Sequence, residues 1–135
     1  MSTKTQRIIG WVLTGLLGIL LIGASGVAKF VDFPRKQEMF GHLGITTDLS
    51  PVLGIIEITV TLIFLIPRTS FLGAILLTAY LGGAVWAHVR VGDPWFFPVI
   101  LGVLVWIALG LRLPVIFALA LGQSTVSSNL QGNKK

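Results

Sequence analysis

The chain has 135 residues, of which 54% are hydrophobic and only 11% charged, and its net charge is +5. Water-soluble domains carry about a quarter charged residues, so this composition excludes a cytosolic enzyme and predicts an integral membrane protein. Because the sequence has no cysteine, it also excludes thiol–disulfide relays, iron–sulfur clusters, cysteine-ligated zinc and covalently attached haem. The basic residues stand at the ends of apolar runs, which is typical of membrane topology signals and not of a nucleic-acid interface.

Four apolar stretches are predicted to form transmembrane helices, because each approaches the roughly 20 residues that cross a bilayer core of about 30 Å. They lie at residues 8–28, 51–66, 71–89 and 97–111. The first could instead be a signal peptide, since Lys4 and Arg7 precede it. Its apolar run is too long for that and ends at a poor cleavage site, so we expect it to be retained. The predicted fold class is all-α, an integral membrane four-helix bundle.

The end of the fourth stretch has two interpretations. Arg112 and Pro114 interrupt it, yet residues 115–121 are again apolar. Either one tilted helix continues to residue 121 with the Arg112 side chain snorkelling to the interface, or a short interfacial helix follows a break, and we favour the break. The single transmembrane domain then covers residues 1–122, and residues 123–135 are predicted to be a disordered polar tail.

The distribution of Lys and Arg predicts the orientation of the chain in the membrane. With four crossings, both termini and the turn after the second helix share one side, which carries Lys4, Arg7, Arg68, Arg112, Lys134 and Lys135. The opposite, outer side carries Lys29, Arg35, Lys36 and Arg90. This bias favours a multi-pass protein of the cell membrane with both termini in the cytoplasm.

Glu57 is the outstanding candidate for function, because an ionised group at membrane depth costs about 2.5–3.5 kcal/mol on insertion scales. It lies six residues after Pro51, within the second helix. Gly54 and Thr61 share its helical face, which predicts that this small, polar face turns into the bundle. The alternative role for Glu57 is structural, as the partner of a Lys or Arg that fixes helix register.

The neighbouring helices supply partners for Glu57. Tyr80 and His88 lie on one stripe of the third helix, and Arg90 and Lys29 end their helices on the outer side. We therefore expect one polar site in the outer half of the bundle, with residues from three helices.

The outer connection at residues 29–50 is long enough to hold a binding element. Phe33, Phe40 and Leu43 recur in it at near-helical spacing, which predicts an amphipathic helix on the membrane surface. Whether this helix contacts a ligand or only anchors the chain stays open.

Metal and haem sites are not favoured by the sequence. The two histidines are His42 and His88, and His42 lies in a loop. A metal bound by Glu57 and His88 would need more ligands than the helices supply. No metal and no covalently bound cofactor is therefore expected.

Several sequence runs resemble the DoxX-like membrane protein family. They are GVAKF at residues 26–30, LGIIE at 53–57, PRTSFLGA at 67–74 and GGAVWAHVRVGDP at 82–94. The resemblance covers roughly residues 8–112 and implies a four-helix membrane bundle with a loose association with quinone-linked redox chemistry, since the family is named after a subunit of thiosulfate:quinone oxidoreductase. It also implies recurring polar positions at Lys29, Glu57, His88, Arg90 and Asp93. With Tyr80, these form the predicted ligand-binding set.

Two functions from different classes remain open. The first is a quinone-binding subunit of a membrane redox or oxidative-stress system, with the headgroup in the outer half of the bundle and a redox partner protein supplying electrons. The second is a non-catalytic assembly factor or scaffold in which the Glu57 cluster only locks the helices. A transporter comes third and would require a homo-oligomer. The predicted partners include the lipid bilayer and exclude nucleic acid.

Overall fold

The computed structural model describes residues 2–123, and every regular element within that range is helical. The α-helices are α1 (Thr3–Gly18), α2 (Lys36–His42), α3 (Leu49–Leu65), α4 (Ser70–Arg90), α5 (Phe96–Arg112) and α6 (Val115–Ala120). The predicted all-α class is confirmed. The polar tail predicted at residues 123–135 falls, beyond Gln123, outside the described residues.

The first apolar stretch is one continuous helical rod that changes its winding. After α1 it continues as a π-helical segment, Ile19–Gly26, and ends in a 3₁₀ turn, Val27–Lys29. Ser2 begins it as the N-cap, because its hydroxyl accepts a hydrogen bond from the Thr5 amide at 3.2 Å. Wide π turns are frequent at functional sites, and this one carries the chain to Lys29.

The turn between α3 and α4 is set by Pro67. The residue before a proline is disfavoured in the helical region, and Ile66 is extended, with φ −74° and ψ 123°. The two helices then pack closely where Gly73 meets the Phe64 backbone, and a Cβ at Gly73 would overlap that backbone. This glycine is what permits the close approach of α4 to α3.

The four long helical rods pack in a ring. The first rod contacts α5 and α3, and α4 contacts both α3 and α5. The buried core between them consists of Leu17, Leu21, Val60, Phe64, Ala74, Leu77, Leu81, Leu101, Val105, Ala108 and Leu109. Thr3–Lys29 and Ser70–Arg90 are each long and apolar enough to cross a membrane, whereas α3 and α5 are shorter apolar helices of 17 residues.

Successive rods alternate in direction, so the packed rods have two polar ends. At one end the Ser50 hydroxyl donates to the Lys29 carbonyl oxygen at 2.9 Å, and we call this the Lys29 end. At the other, the Arg112 guanidinium donates to the Thr14 hydroxyl oxygen at 3.2 Å, and we call this the Arg112 end. α2 belongs to the Lys29 end, because Arg90 donates to the Leu43 carbonyl oxygen at 2.7 Å.

The fourth apolar stretch is interrupted, as favoured from the sequence. Leu113 leaves the helical region, with φ −129° and ψ 83°, and Pro114 begins α6 as its N-cap. The alternative of a continuous helix with a snorkelling Arg112 is wrong, since Arg112 is only 4% exposed. The outer connection contains a helix, α2, at Lys36–His42.

Candidate functional site

Glu57 lies inside the ring of helices, 2% exposed, on the small and polar face of α3. Gly54 and Thr61 on the same face are also buried. The Glu57 Oε2 atom accepts a hydrogen bond from Lys29 Nζ at 2.5 Å and another from the Tyr80 hydroxyl at 3.2 Å. Three rods thus meet at one carboxylate oxygen, and we call Lys29, Glu57 and Tyr80 the Glu57 cluster.

Lys29 is held by more than its ion pair. Its Nζ also donates to Ser25, at 3.0 Å to the hydroxyl and 3.3 Å to the carbonyl oxygen. All three ammonium protons therefore have acceptors, which is the condition under which a buried charge is tolerated. The Lys29 side chain is 11% exposed and that of Glu57 is 3% exposed, so Lys29 is the member of the pair nearer the outside.

A glycine allows the Lys29 turn to lie against α3. A Cβ at Gly54 would stand 2.6 Å from the Phe30 ring and 3.1 Å from the Lys29 Cβ. The Ser50 hydroxyl, one helical turn before Gly54, binds the Lys29 carbonyl oxygen. The Lys29 turn therefore lies against the face of α3 that contains Ser50, Gly54, Glu57 and Thr61. The helical spacing of these residues is visible in the sequence.

A cavity of about 570 Å³ adjoins the Glu57 cluster at the Lys29 end. It lies between the Lys29 turn, α2 and the start of α3, and we call it the α2 cavity. Its wall combines polar and apolar side chains, among them Lys29, Phe30, Lys36, Gln37, Phe40, Ile45 and Ser50. Lys29 is the residue that belongs to both the cavity wall and the Glu57 cluster.

Lys36 and the ring of Phe40 fix the α2 side of this cavity. Lys36 Nζ donates to the carbonyl oxygens of Lys29 at 3.0 Å and Val31 at 2.9 Å, and lies 5.8 Å from the Phe40 ring centroid. Phe40 in turn packs edge to face with Phe33, at 6.2 Å between centroids. The sequence predicted a surface helix with Phe33, Phe40 and Leu43, and of these three only Phe40 lies within α2. The contact of Lys36 with the Lys29 turn was not predicted.

The predicted six-residue site is divided in the structure. Lys29, Glu57 and Tyr80 meet, but His88 and Arg90, which were expected to join them, make their hydrogen bonds elsewhere. His88 turns back along its own helix, with Nδ1 2.8 Å from the Ala84 carbonyl oxygen. Arg90 and Asp93 contact the α2 region instead.

Arg90 and Asp93 act as ties between the end of α4 and α2. Arg90 is bonded to the Leu43 carbonyl oxygen, and Asp93 Oδ1 lies 3.1 Å from His42 Nε2. His42 was considered only as a haem ligand in the sequence analysis, so its role as a partner of Asp93 was missed. These contacts position α2 over the cavity and do not reach the Glu57 cluster.

No group of three or more His, Asp or Glu side chains suited to a metal ion occurs among the described residues. Within the Glu57 cluster, Tyr80 and Lys29 donate hydrogen bonds and the buried Glu57 carboxylate accepts them.

The family model described as the DoxX-like family matches residues 12–121. The chain belongs to the DoxX-like family. The match covers the first rod from residue 12 onward, the other three long rods and α6, so the resemblance noted in the sequence runs is confirmed over nearly the whole described chain. Among curated proteins and among solved structures, none matches this DoxX-like chain.

Proposed function

We propose that this DoxX-like chain is a multi-pass protein of the cell membrane in which the four long rods form a transmembrane bundle, with both termini in the cytoplasm. The support is the apolar outer surface of every rod. Leu16 is 59% exposed, Ile55 58%, Trp86 66% and Val103 53%. Side chains of this size on all four rods suit lipid contact and would be costly in water.

Within that bundle the α2 cavity binds a small amphipathic molecule, for which a quinone headgroup is the best candidate. The observation that carries this proposal is the position of Lys29, which lines the cavity and is ion-paired to the buried Glu57. A cavity of about 570 Å³ is within the range of small-molecule sites, roughly 300–1,000 Å³. Phe30 and Phe40 offer ring surfaces for a quinone, and Lys36, whose ammonium group donates to two backbone carbonyl oxygens, has a third proton to donate to a quinone carbonyl oxygen.

Reduction of a quinone consumes two electrons and two protons, and the Glu57 cluster is suited to the proton part. A proton can pass between the Glu57 carboxyl group, the Tyr80 hydroxyl and Lys29, and Lys29 is the member that meets the cavity. The electrons are assigned to a redox partner protein, because the chain has no cysteine that could cycle between thiol and disulfide. The chain is then a quinone-binding subunit of a membrane redox or oxidative-stress system.

A second candidate is a non-catalytic scaffold, and one observation favours it. Glu57 Oε2 already accepts two hydrogen bonds, and all three protons of Lys29 Nζ have acceptors. A cluster with its donors satisfied internally can serve simply to fix the register of three rods.

Thermal unfolding of the purified chain in neutral detergent, with short-chain benzoquinone and naphthoquinone analogues, separates the two candidates. A ligand at 100 times its dissociation constant adds about 2.7 kcal/mol to stability. We expect a quinone to raise the Tm of the wild type and of Met39→Ala, whose side chain is 56% exposed on α2. Phe40→Ala, which removes an aromatic wall of the cavity, should lose the shift. No shift with any quinone in the wild type would favour the scaffold.

A further inference from the structure

The Arg112 end holds a second buried cation, and it lacks the partners that Lys29 has. Arg112 ends α5 and is 4% exposed. Its Nη1 donates to the Thr14 hydroxyl oxygen at 3.2 Å, and its guanidinium carbon lies 3.9 Å from the centroid of the Trp11 ring. Its buried Nε–H has no hydrogen-bond partner among the described residues. A buried donor left without an acceptor is costly, and more so when the group is charged.

No acidic side chain of the protein is placed to neutralise Arg112. The sequence contains five Asp and Glu residues. Glu57 is paired with Lys29, and the other four lie in the connections of the Lys29 end, at Asp32, Glu38, Asp48 and Asp93. Residues 124–135 contain no Asp or Glu. The negative charge that Arg112 requires must therefore come from outside the chain's acidic residues.

A small pocket beside Arg112 has the properties of an anion site. Its volume is about 100 Å³, and it is lined by Arg7, Trp11, Pro67, Ser70, Arg112 and Leu113. Arg7 brings a second positive charge. Ser70 begins α4, and the N-cap residue Thr69 makes no side-chain capping hydrogen bond. The free N–H groups at the start of this 21-residue helix add partial positive charge on the same side.

We infer that this Arg112 pocket binds a phosphate group, either the phosphate of a lipid headgroup or free inorganic phosphate. A planar guanidinium with a free N–H, a second arginine and a helix N-terminus are the elements that recognise such an oxyanion. The volume suits one phosphate group and no larger headgroup. Trp11, which is 44% exposed at the rim, is of the residue type that lies at headgroup level in membranes.

Thermal unfolding of the full chain in neutral detergent tests the site and separates the two phosphate sources. One arm titrates sodium phosphate against sodium chloride at equal ionic strength. The other adds phosphatidylglycerol against diacylglycerol, which shares the lipid tails and lacks the phosphate. A rise in Tm with phosphatidylglycerol alone identifies a headgroup, and a rise with phosphate as well identifies the free ion. No rise in either arm overturns the inference.

Variants connect the effect to the pocket. Arg7 is exposed, so Arg7→Gln should fold normally and weaken the binding of the active phosphate source about tenfold, as expected for one charge-assisted contact. Arg112→Met should abolish binding while leaving the phosphate-free Tm at or above that of the wild type. Arg35→Gln is the matched control, since the Arg35 side chain is 80% exposed at the Lys29 end.

The variants also give a clear negative result. If the shift persists unchanged in both Arg7→Gln and Arg112→Met, the pocket is not the site and the inference fails. If Arg112→Met does not fold, Arg7→Gln decides alone, with retention of phosphatidylglycerol measured by native mass spectrometry. An Arg7→Gln protein that retains as much lipid as Arg35→Gln would contradict the inference.

Discussion

Each end of the packed rods contains a buried cation, and the two cations have different partners. At the Lys29 end, the ammonium group meets a carboxylate from another rod and two oxygen atoms of Ser25. At the Arg112 end, the guanidinium meets one hydroxyl group and two aromatic rings. The Lys29 charge is paired with Glu57, whereas no acidic side chain among residues 2–123 pairs with Arg112. The comparison shows that a buried cation at the end of packed helical rods either pairs with an acidic side chain or is left without one, according to where the acidic residues lie.

The two ends also share one structural feature. At each end, a glycine on the neighbouring rod leaves space for the stem of the cationic side chain. Gly54 on α3 faces the Lys29 Cβ, and Gly10 on α1 faces Arg112, where a Cβ would lie 2.9 Å from Arg112 Cγ. In each case the stem of the long side chain packs against a helix backbone. The two ends therefore differ in the partners of the charged groups and not in the packing of the aliphatic stems.

The largest expected effect comes from breaking the pair at the Lys29 end. Lys29→Met should reduce the free energy of unfolding by about 3–5 kcal/mol, because it leaves the buried Glu57 charge without its partner. Glu57→Leu should reduce the free energy of unfolding by a similar amount, because it leaves the buried Lys29 charge without its partner. The double variant Lys29→Met/Glu57→Leu should regain most of the loss, since an apolar pair in place of a buried ion pair is often neutral or stabilising. The measurement is chemical unfolding in detergent.

The control for this cycle is the other end of the bundle. Arg112→Met also deletes a buried cation, but it leaves no buried acidic group without a partner. This variant should therefore not lose stability in phosphate-free detergent. A double variant no more stable than either single variant would mean that the Glu57 cluster does not act as a pair. A large loss in Arg112→Met would mean that the two ends are alike.

The contacts of Glu57 with Lys29 and Tyr80 were predictable from sequence, and the exclusion of His88 and Arg90 was not. Periodicity gives the depth of a residue along a helix, and it placed Glu57 between Tyr80 and His88 in depth. It gives rotation less well, because residues four apart on a helix drift by about 40°. His88, eight residues after Tyr80, has thus rotated by about 80° and bonds its own backbone.

The burial of Arg112 was missed for a different reason. An arginine next to a proline at the end of an apolar run is typical of a snorkelling side chain, and nothing in its immediate sequence says that it is buried. Two signals were present, however. Gly10 and Thr14 place a small, polar patch on one face of α1, and all five acidic residues lie far along the sequence from Arg112.

A smaller effect is expected from adding a methyl group at Gly54 or Gly10, the glycines that lie against Lys29 and Arg112. Gly54→Ala and Gly10→Ala should each cost about 1–3 kcal/mol, because the new methyl group would overlap the Phe30 ring at Gly54 and the stem of Arg112 at Gly10. Gly15→Ala is the matched control on α1, since a Cβ there has open space. It should leave stability unchanged or raise it by up to about 1 kcal/mol. Equal effects of Gly10→Ala and Gly15→Ala on the Tm would show that Arg112 does not pack on α1.

The smallest effect concerns the aromatic contact that partly replaces a counter-ion at the Arg112 end. Trp11→Leu removes the ring that lies over the guanidinium and should cost about 0.5–2 kcal/mol, the range of a cation–π contact. Trp86→Leu is the control, because Trp86 is 66% exposed on α4 and should change the Tm less. If Arg112 is bound to an anion, the cost of Trp11→Leu should shrink when that anion is saturating, since the charge then has a second partner. If Trp11→Leu costs the same stability with and without phosphate, the ring alone holds the guanidinium. The two ends would then differ in the burial of the cation and not in its charge pairing.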